Sequence, residues 1–178
     1  MRIEPTRIDG VKLVRLDSHA DERGSFARTY CEETFAEAGI DFRPVQANQS
    51  RNTAKHTLRG LHYQNAPHGE AKLVACPEGR IWDVALDMRE GSSSYRRWQA
   101  FELSRQNATS LYLPEGIAHG FLTLEPDTTV DYLMGSPYMP GAATGIRWDD
   151  PAIGIDWPAQ PEAMSERDSG YALLEADS

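Results

Sequence analysis

The sequence predicts an all-β protein, a jelly-roll β-barrel with a few short helices. Three observations carry this. Short segments alternate in polarity, as strands with one buried face do; "GVKLVRLDSH", "RWQAFELSRQ" and "GFLTLEPD" are examples. Gly, Pro, Asp and Asn end these segments at roughly the 8–12 residue spacing of sandwiches and barrels. Only one internal stretch, "CEETFAEAGI", carries a clear helical pattern.

In chain order, "GVKLVRLDSH" is an early strand segment, and "CEETFAEAGI" follows as a helix. Gly39 is its natural stop, because glycine takes the left-handed conformation that helix ends use. "CPEGRIWDV" reads as a hairpin, with "PEG" turning between two β-rich runs. "RWQAFELSRQ", "SLYLPEG", "GFLTLEPD" and "TTVDYLMGSP" continue the strands, and a second helical turn begins at Ser165 in "SERD". No internal repeat, low-complexity tract or linker interrupts the series.

The bulk properties exclude some classes. The 178 residues are 40% apolar and 25% charged, enough for one ordinary hydrophobic core. Eighteen basic against 27 acidic side chains give a net charge of −9, which argues against non-specific nucleic-acid or membrane binding. A few local arginines can still hold an anionic small molecule. Cys31 and Cys76 have no metal-ligand spacing and read as free thiols in a reducing compartment. The N-terminal stretch has no apolar run long enough for a signal peptide or a membrane span, so a cytoplasmic protein is expected.

Several segments mix chemistry into strand-like runs. His62 and His119 each sit beside a glycine and large apolar residues, in "LRGLHYQ" and "GIAHGFL", whereas His19, His56 and His68 lack such a context. Neither segment has H-x-H or H-E-x-x-H spacing, so no metal is expected. Arg59 and Arg23 adjoin glycines, and a guanidinium fork suits phosphate oxygens; a solvated turn arginine also explains "DERG". Strict alternation puts Arg59 and His62 on opposite faces, so a shared site needs a bulge, which Gly60 could supply. Lys72 shares a face with Val74 and Cys76, which is costly without an anionic partner; a lysine at the solvent end of the strand is the alternative. Tyr132 reads as a packed aromatic beside Val130 and Met134. Asp168 reads as part of a helix cap with Ser165.

Together, "DERGSF", "QANQS", "LRGLHYQ", "AKLVACPEGRIWDVALDMR", "LYLPEGIAHGFL", "DYLMGSPY", "GIRWDDPAIGIDWP" and "MSERD" resemble the dTDP-4-dehydrorhamnose 3,5-epimerase family, nucleotide-sugar epimerases of the cupin jelly-roll class. The blocks keep the family's order and span nearly the whole chain. The resemblance implies one domain over residues 1–178, with a jelly-roll core at about 10–158 and a helical tail at about 159–178. It implies His62 as the base that removes a hydrogen acidified by a 4-keto group, and Asp168 as the carboxylate that orients it. Lys72 would stabilise the enolate, and Tyr132 would return a proton from the opposite face. Arg23, Phe26, Arg28, Gln46, Asn48, Arg59, His119, Tyr138 and Arg167 fall at substrate-binding positions, with Tyr138 stacking on the nucleobase. By the same resemblance no cofactor is needed, the partner is a nucleotide sugar, and the protein is a homodimer.

The match departs at recognition positions. Arg28 stands where the rhamnose-pathway enzymes typically have an acidic residue, Ala143 where they have a glutamate, and Arg167 where they have a lysine. These changes leave open inversion at carbon 3 alone, at carbon 5 alone, or a different sugar. A 3,4-ketoisomerase, a non-catalytic binding module and a metal-dependent oxygenase are the competing readings.

Overall fold

The computed structural model describes residues 1–175. Its strands, in chain order, are β1 (Arg2–Pro5), β2 (Lys12–Arg15), β3 (Ser18–Asp21), β4 (Gly24–Ala27), β5 (Gln46–Asn52), β6 (Leu58–Gln64), β7 (Lys72–Glu78), β8 (Arg80–Asp87), β9 (Trp98–Ser104), β10 (Thr109–Leu113), β11 (Ile117–Thr123), β12 (Thr128–Met134) and β13 (Ala143–Gly145). Two short helices accompany them, α1 (Glu32–Glu37) and α2 (Glu166–Ser169). None of the described helices is long and apolar enough to cross a membrane.

Two antiparallel sheets face each other, in the orders β1-β2-β10-β7-β12-β5 and β13-β6-β11-β8-β9. From β5 to β13 every connection except β8–β9 passes from one sheet to the other. That back-and-forth course makes a jelly roll, so the predicted class holds. The sheets form a sandwich, however, with no strand pairing that closes them into one barrel among the described residues.

The expected "PEG" hairpin is corrected by this topology. Gly79 does turn the chain, at φ +76°, but β7 pairs with β10 and β12 while β8 pairs with β9 and β11. The segment is therefore an arch between sheets. Both flanking strands bury residues in the space between the sheets: Val74 and Cys76 from β7, Ile81 and Ala85 from β8. Pairing side by side would have turned one of those sets to solvent.

Alternation decides what each face holds. Val74, Cys76, Ile81, Ala85, Phe101, Leu103, Leu111, Ile117, Phe121 and Val130 fill the space between the sheets. Each such burial contributes about 1.5–3 kcal/mol. Outside the six-stranded sheet, Leu73 and Tyr112 pack under α1 and the loop after it. Phe35 of α1 meets Phe42 and Tyr112 with ring centroids 5.8 Å apart in both pairs. The helix stops where expected: Gly39 has φ +75°, and the N–H groups of Gly39 and Ile40 donate to Ala36 and Phe35 carbonyls. Outside the five-stranded sheet, Trp82, Trp98, Trp148 and Trp157 cover Val84 and Leu86.

Two segments stand apart. The β3–β4 hairpin forms its own two-stranded sheet and is exposed almost throughout. The tail expected to be helical is so only over Glu166–Ser169, and residues 176–178 lie outside the described residues. Backbone bonds dock this tail onto the body: Leu58 N–H donates to Ala163 O, and Glu162 N–H to His56 O.

Candidate active site

The site is set by an irregularity in β6. Opposite β11, His62 aligns with His119 and Arg59 with Phe121, so two residues of β6, Gly60 and Leu61, face the single Gly120. This bulge restores Arg59 and His62 to one face, three positions apart though they are. It needs glycine twice over. Gly60 has φ +131°, and a Cβ there would collide with the Gly120 backbone. Leu61 points the other way, into the cluster outside the sheet.

Arg59 and His62 face a cavity of about 640 Å³ at one end of the sandwich. Asp168, carried by α2, approaches His62: its Oδ1 lies 2.7 Å from Nε2, and its Oδ2 accepts from the Gly60 N–H at 3.1 Å. Ser165 does cap this helix, its Oγ accepting from the Asp168 N–H at 3.1 Å. The capping motif seen in the sequence is thus real, but the aspartate's side chain turns to the imidazole. Burial alone would raise the Asp168 carboxyl; the bonds from His62, Gly60 and Ser165 outweigh it and hold the group below the ordinary carboxylate range. In the tautomer whose Nε2–H donates to this carboxylate, Nδ1 carries the ring's lone pair.

Tyr132 enters from the other sheet. β6 belongs to the five-stranded sheet and β12 to the six-stranded one, so imidazole and phenol reach the cavity from opposing walls. The phenol lies 3.5 Å from Ser50 Oγ, and its ring meets His119 edge-on at 6.0 Å. Burial pushes its ionisation well above the ordinary phenol value; Ser50 opposes this, and the nearby Asp83 carboxylate adds to it. The hydroxyl therefore keeps its proton.

Lys72 points between the sheets with Val74 and Cys76, and it has the anionic partner such a position requires. Glu70 Oε1 is 2.9 Å from Nζ, and Nζ donates to the His62 carbonyl at 3.1 Å. His119 is buried, with Nε2 2.8 Å from Asp83 Oδ2. Arg59 donates through Nε to Asn52 Oδ1 at 2.8 Å. Gln46 and Asn48, bonded to each other at 3.0 Å, line the cavity from β5. Tyr138, Arg167, Ala143 and Met134 also line it; Arg167 donates to the Tyr171 hydroxyl at 2.8 Å.

Three expected positions lie elsewhere. Arg23, Phe26 and Arg28 are not among the cavity's lining residues; they sit on or just after the exposed β3–β4 hairpin. Arg23 is paired with Asp21 at 2.5 Å, and Phe26 is 75% exposed. Conversely, four residues were not read from the sequence. Asp83 alternates with Ile81 and Ala85, an acid at an inward position that was a usable signal, and its Oδ1 has no partner among the described residues. Glu70 lies two residues before Lys72, on the same side. Ser50 had no distinguishing pattern. Gln64 fastens the rim, accepting from the Met139 N–H at 2.6 Å and donating to His68 O at 2.9 Å. Among the described residues no group of three or more His, Cys, Asp or Glu could hold a metal ion.

A jelly-roll sandwich with a His–Asp couple, a buried phenol and a lysine in one cavity has the parts of a proton-transferring isomerase. The sequence profile described as dTDP-4-dehydrorhamnose 3,5-epimerase matches residues 5–176. A dTDP-4-dehydrorhamnose 3,5-epimerase of Sinorhizobium fredii is 42% identical over 98% of this chain and 90% of its own length. A dTDP-4-dehydrorhamnose 3-epimerase of Streptomyces niveus is 38% identical over 98% of this chain and 84% of its own. The crystal structure of dTDP-6-deoxy-D-glucose-3,5-epimerase from Legionella pneumophila, in complex with dTDP-4-keto-L-rhamnose, superposes with a TM-score of 0.91 at 36% identity, covering 97% of this chain and 92% of that one. The chain belongs to the dTDP-4-dehydrorhamnose 3,5-epimerase family, and it is an epimerase.

Proposed function

We propose that the protein inverts carbon 3, carbon 5 or both in a nucleoside-diphosphate-4-keto-6-deoxyhexose, with dTDP-4-dehydro-6-deoxyglucose to dTDP-4-dehydrorhamnose as the favoured conversion. The observation that carries this is the entry of His62 and Tyr132 into one cavity from opposite sheets. Nδ1 of His62 takes the hydrogen that the 4-keto group acidifies, and the electron pair moves to the 4-oxygen as an enolate. Asp168 stabilises the imidazolium that results. Lys72 offers its ammonium to the enolate oxygen. The Tyr132 hydroxyl then protonates the carbon from the far face, which inverts it. Each transfer uses a group that the chain supplies.

Arg59 suits the diphosphate, Gln46 and Asn48 the nucleoside side of the cavity, and Tyr138 the base. His119, Phe121 and Arg167 complete the sugar's surroundings. Arg23, Phe26 and Arg28 fit a homodimer in which the exposed hairpin of one subunit reaches the cavity of the other; the 75% exposure of Phe26 supports this reading. Two free thiols, Cys31 and Cys76, fit a cytoplasmic setting. Inversion at carbon 3 alone is the second reading, favoured by the similarity to the Streptomyces niveus 3-epimerase and by Ala143 in the cavity wall.

Proton NMR in heavy water tests the proposal. Deuterium should enter carbon 3, carbon 5 or both of dTDP-4-dehydro-6-deoxyglucose, and the labelled carbons choose between the two readings. Tyr132→Phe should keep proton abstraction and lose inversion. No uptake with this substrate or other 4-keto-6-deoxy nucleotide sugars overturns the assignment.

A further inference from the structure

Within this reading of the reaction, we propose that Glu70 is a positioning residue, balancing the charge of the Lys72 ammonium and fixing Nζ where the enolate oxygen forms. Both side chains are almost wholly enclosed, at 8% and 6% exposure, and both line the cavity. An ammonium so enclosed is costly unless a counter-charge stands by. Glu70 provides one at 2.9 Å.

The neighbouring groups make the requirement sharper. Arg59 and Arg167 face the same cavity, so Lys72 is one of three cationic side chains lining it. Asp168 is committed to His62 and Asp83 to His119. His62 and Tyr132 exchange protons during turnover and give no permanent negative charge. Glu70 is thus the carboxylate left to balance Lys72 among the described residues that line this cavity.

Geometry adds a second role. An ammonium has three hydrogens. One is donated to the His62 carbonyl at 3.1 Å, and Glu70 holds Nζ from another side. Lys72 is thereby tied to the backbone of the base itself, with donor capacity left for a substrate oxygen. A lone carboxylate near a forming enolate would slow the reaction. Matched to an ammonium, it leaves the pair neutral before binding and polarisable as charge gathers on the 4-oxygen.

The test uses Glu70→Gln, which keeps size and hydrogen-bonding atoms, beside Lys72→Met and the double variant. In the heavy-water assay, Glu70→Gln should lower kcat about tenfold with KM within twofold. That is well short of the roughly 100-fold that follows loss of an oxyanion donor, which is the expectation for Lys72→Met. Adding Glu70→Gln to Lys72→Met should cost nothing further and should recover part of the loss, because it removes the carboxylate that Lys72→Met leaves unpaired. NMR of lysines labelled at Cε gives a readout that needs no turnover: the Lys72 signal, set by the contact of Nζ with Glu70 in the native protein, should move in Glu70→Gln. An unchanged or faster kcat in Glu70→Gln, or an unchanged Lys72 Cε signal, overturns the proposal. A native protein that exchanges no deuterium would defeat the reaction assignment, while the Lys72 signal would still decide whether Glu70 positions Lys72. Thermal melting of each variant confirms that it is folded.

Discussion

Asp168→Asn removes a charge from the site while keeping the shape of the side chain. The carboxylate serves two donors, His62 Nε2 at 2.7 Å and the Gly60 N–H at 3.1 Å. An amide has one oxygen. If that oxygen keeps the Gly60 bond, the NH₂ faces Nε2, which must then offer a lone pair, and the ring proton moves to Nδ1. The nitrogen needed as base is then occupied. If the oxygen keeps His62, the Gly60 N–H loses its partner. The charge itself can be weighed. Two unit charges 2.7 Å apart attract by about 6 kcal/mol at an effective dielectric of ~20. The His62 side chain is 38% exposed, and solvent screening reduces this to about 3 kcal/mol. At 1.36 kcal/mol per tenfold, that is a loss of roughly 100-fold in kcat. KM should stay within about threefold, because Asp168 acts on the imidazolium formed after binding. Deuterium incorporation under saturating substrate measures it. Exchange within threefold of the native rate would refute the coupling of His62 to Asp168.

Gly60→Ala should cost at least ~3 kcal/mol in urea unfolding, since the new methyl meets the Gly120 backbone at a φ that side chains avoid; a loss below about 1 kcal/mol would contradict the bulge. Stability should also fall in acid. Asp168 and Asp87 are both held below the ordinary carboxylate value, Asp87 because bonds from Arg89, Ser92 and Ser94 outweigh its burial. A depressed folded value means that the unfolded chain binds protons first. This stabilisation is therefore complete above about pH 5 and is lost as pH falls further. Melting temperatures followed below about pH 5 should drop, and Asp87→Asn should flatten that drop. Thiol titration offers a further check: Cys76, pushed up to about 12 by burial, should react only in denaturant, whereas Cys31, lowered by hydrogen bonds from Thr34, reacts in the native protein.

Local rules carried much of the fold. The turn at Gly79, the stop at Gly39 and the cap at Ser165 were each legible, because backbone conformation at a turn depends on the residues that make it. Whether a turn joins strands side by side or sheet to sheet depends on distant partners, and so "PEG" was misread. The bulge at Gly60 was legible as a need, since three residues cannot share a strand face otherwise. The surroundings of the site were less so. Lys72 announced that it required an anion but could not name Glu70, and Tyr132 looked like packing because a buried phenol and a buried phenylalanine obey the same alternation. Asp83 broke the apolar pattern of β8 and went unread. Arg23, Phe26 and Arg28 share an exposed hairpin, and no local rule says what such a hairpin touches.

The docked tail separates foldedness from reactivity. Every strand of the sandwich precedes Asp168 in the chain, and the segment bearing it is fastened at 162–163 by a pair of backbone bonds to residues 56 and 58. With that last turn undocked, a molecule whose core is fully formed would lack the carboxylate at its imidazole, so closing the core and completing the site are separate events.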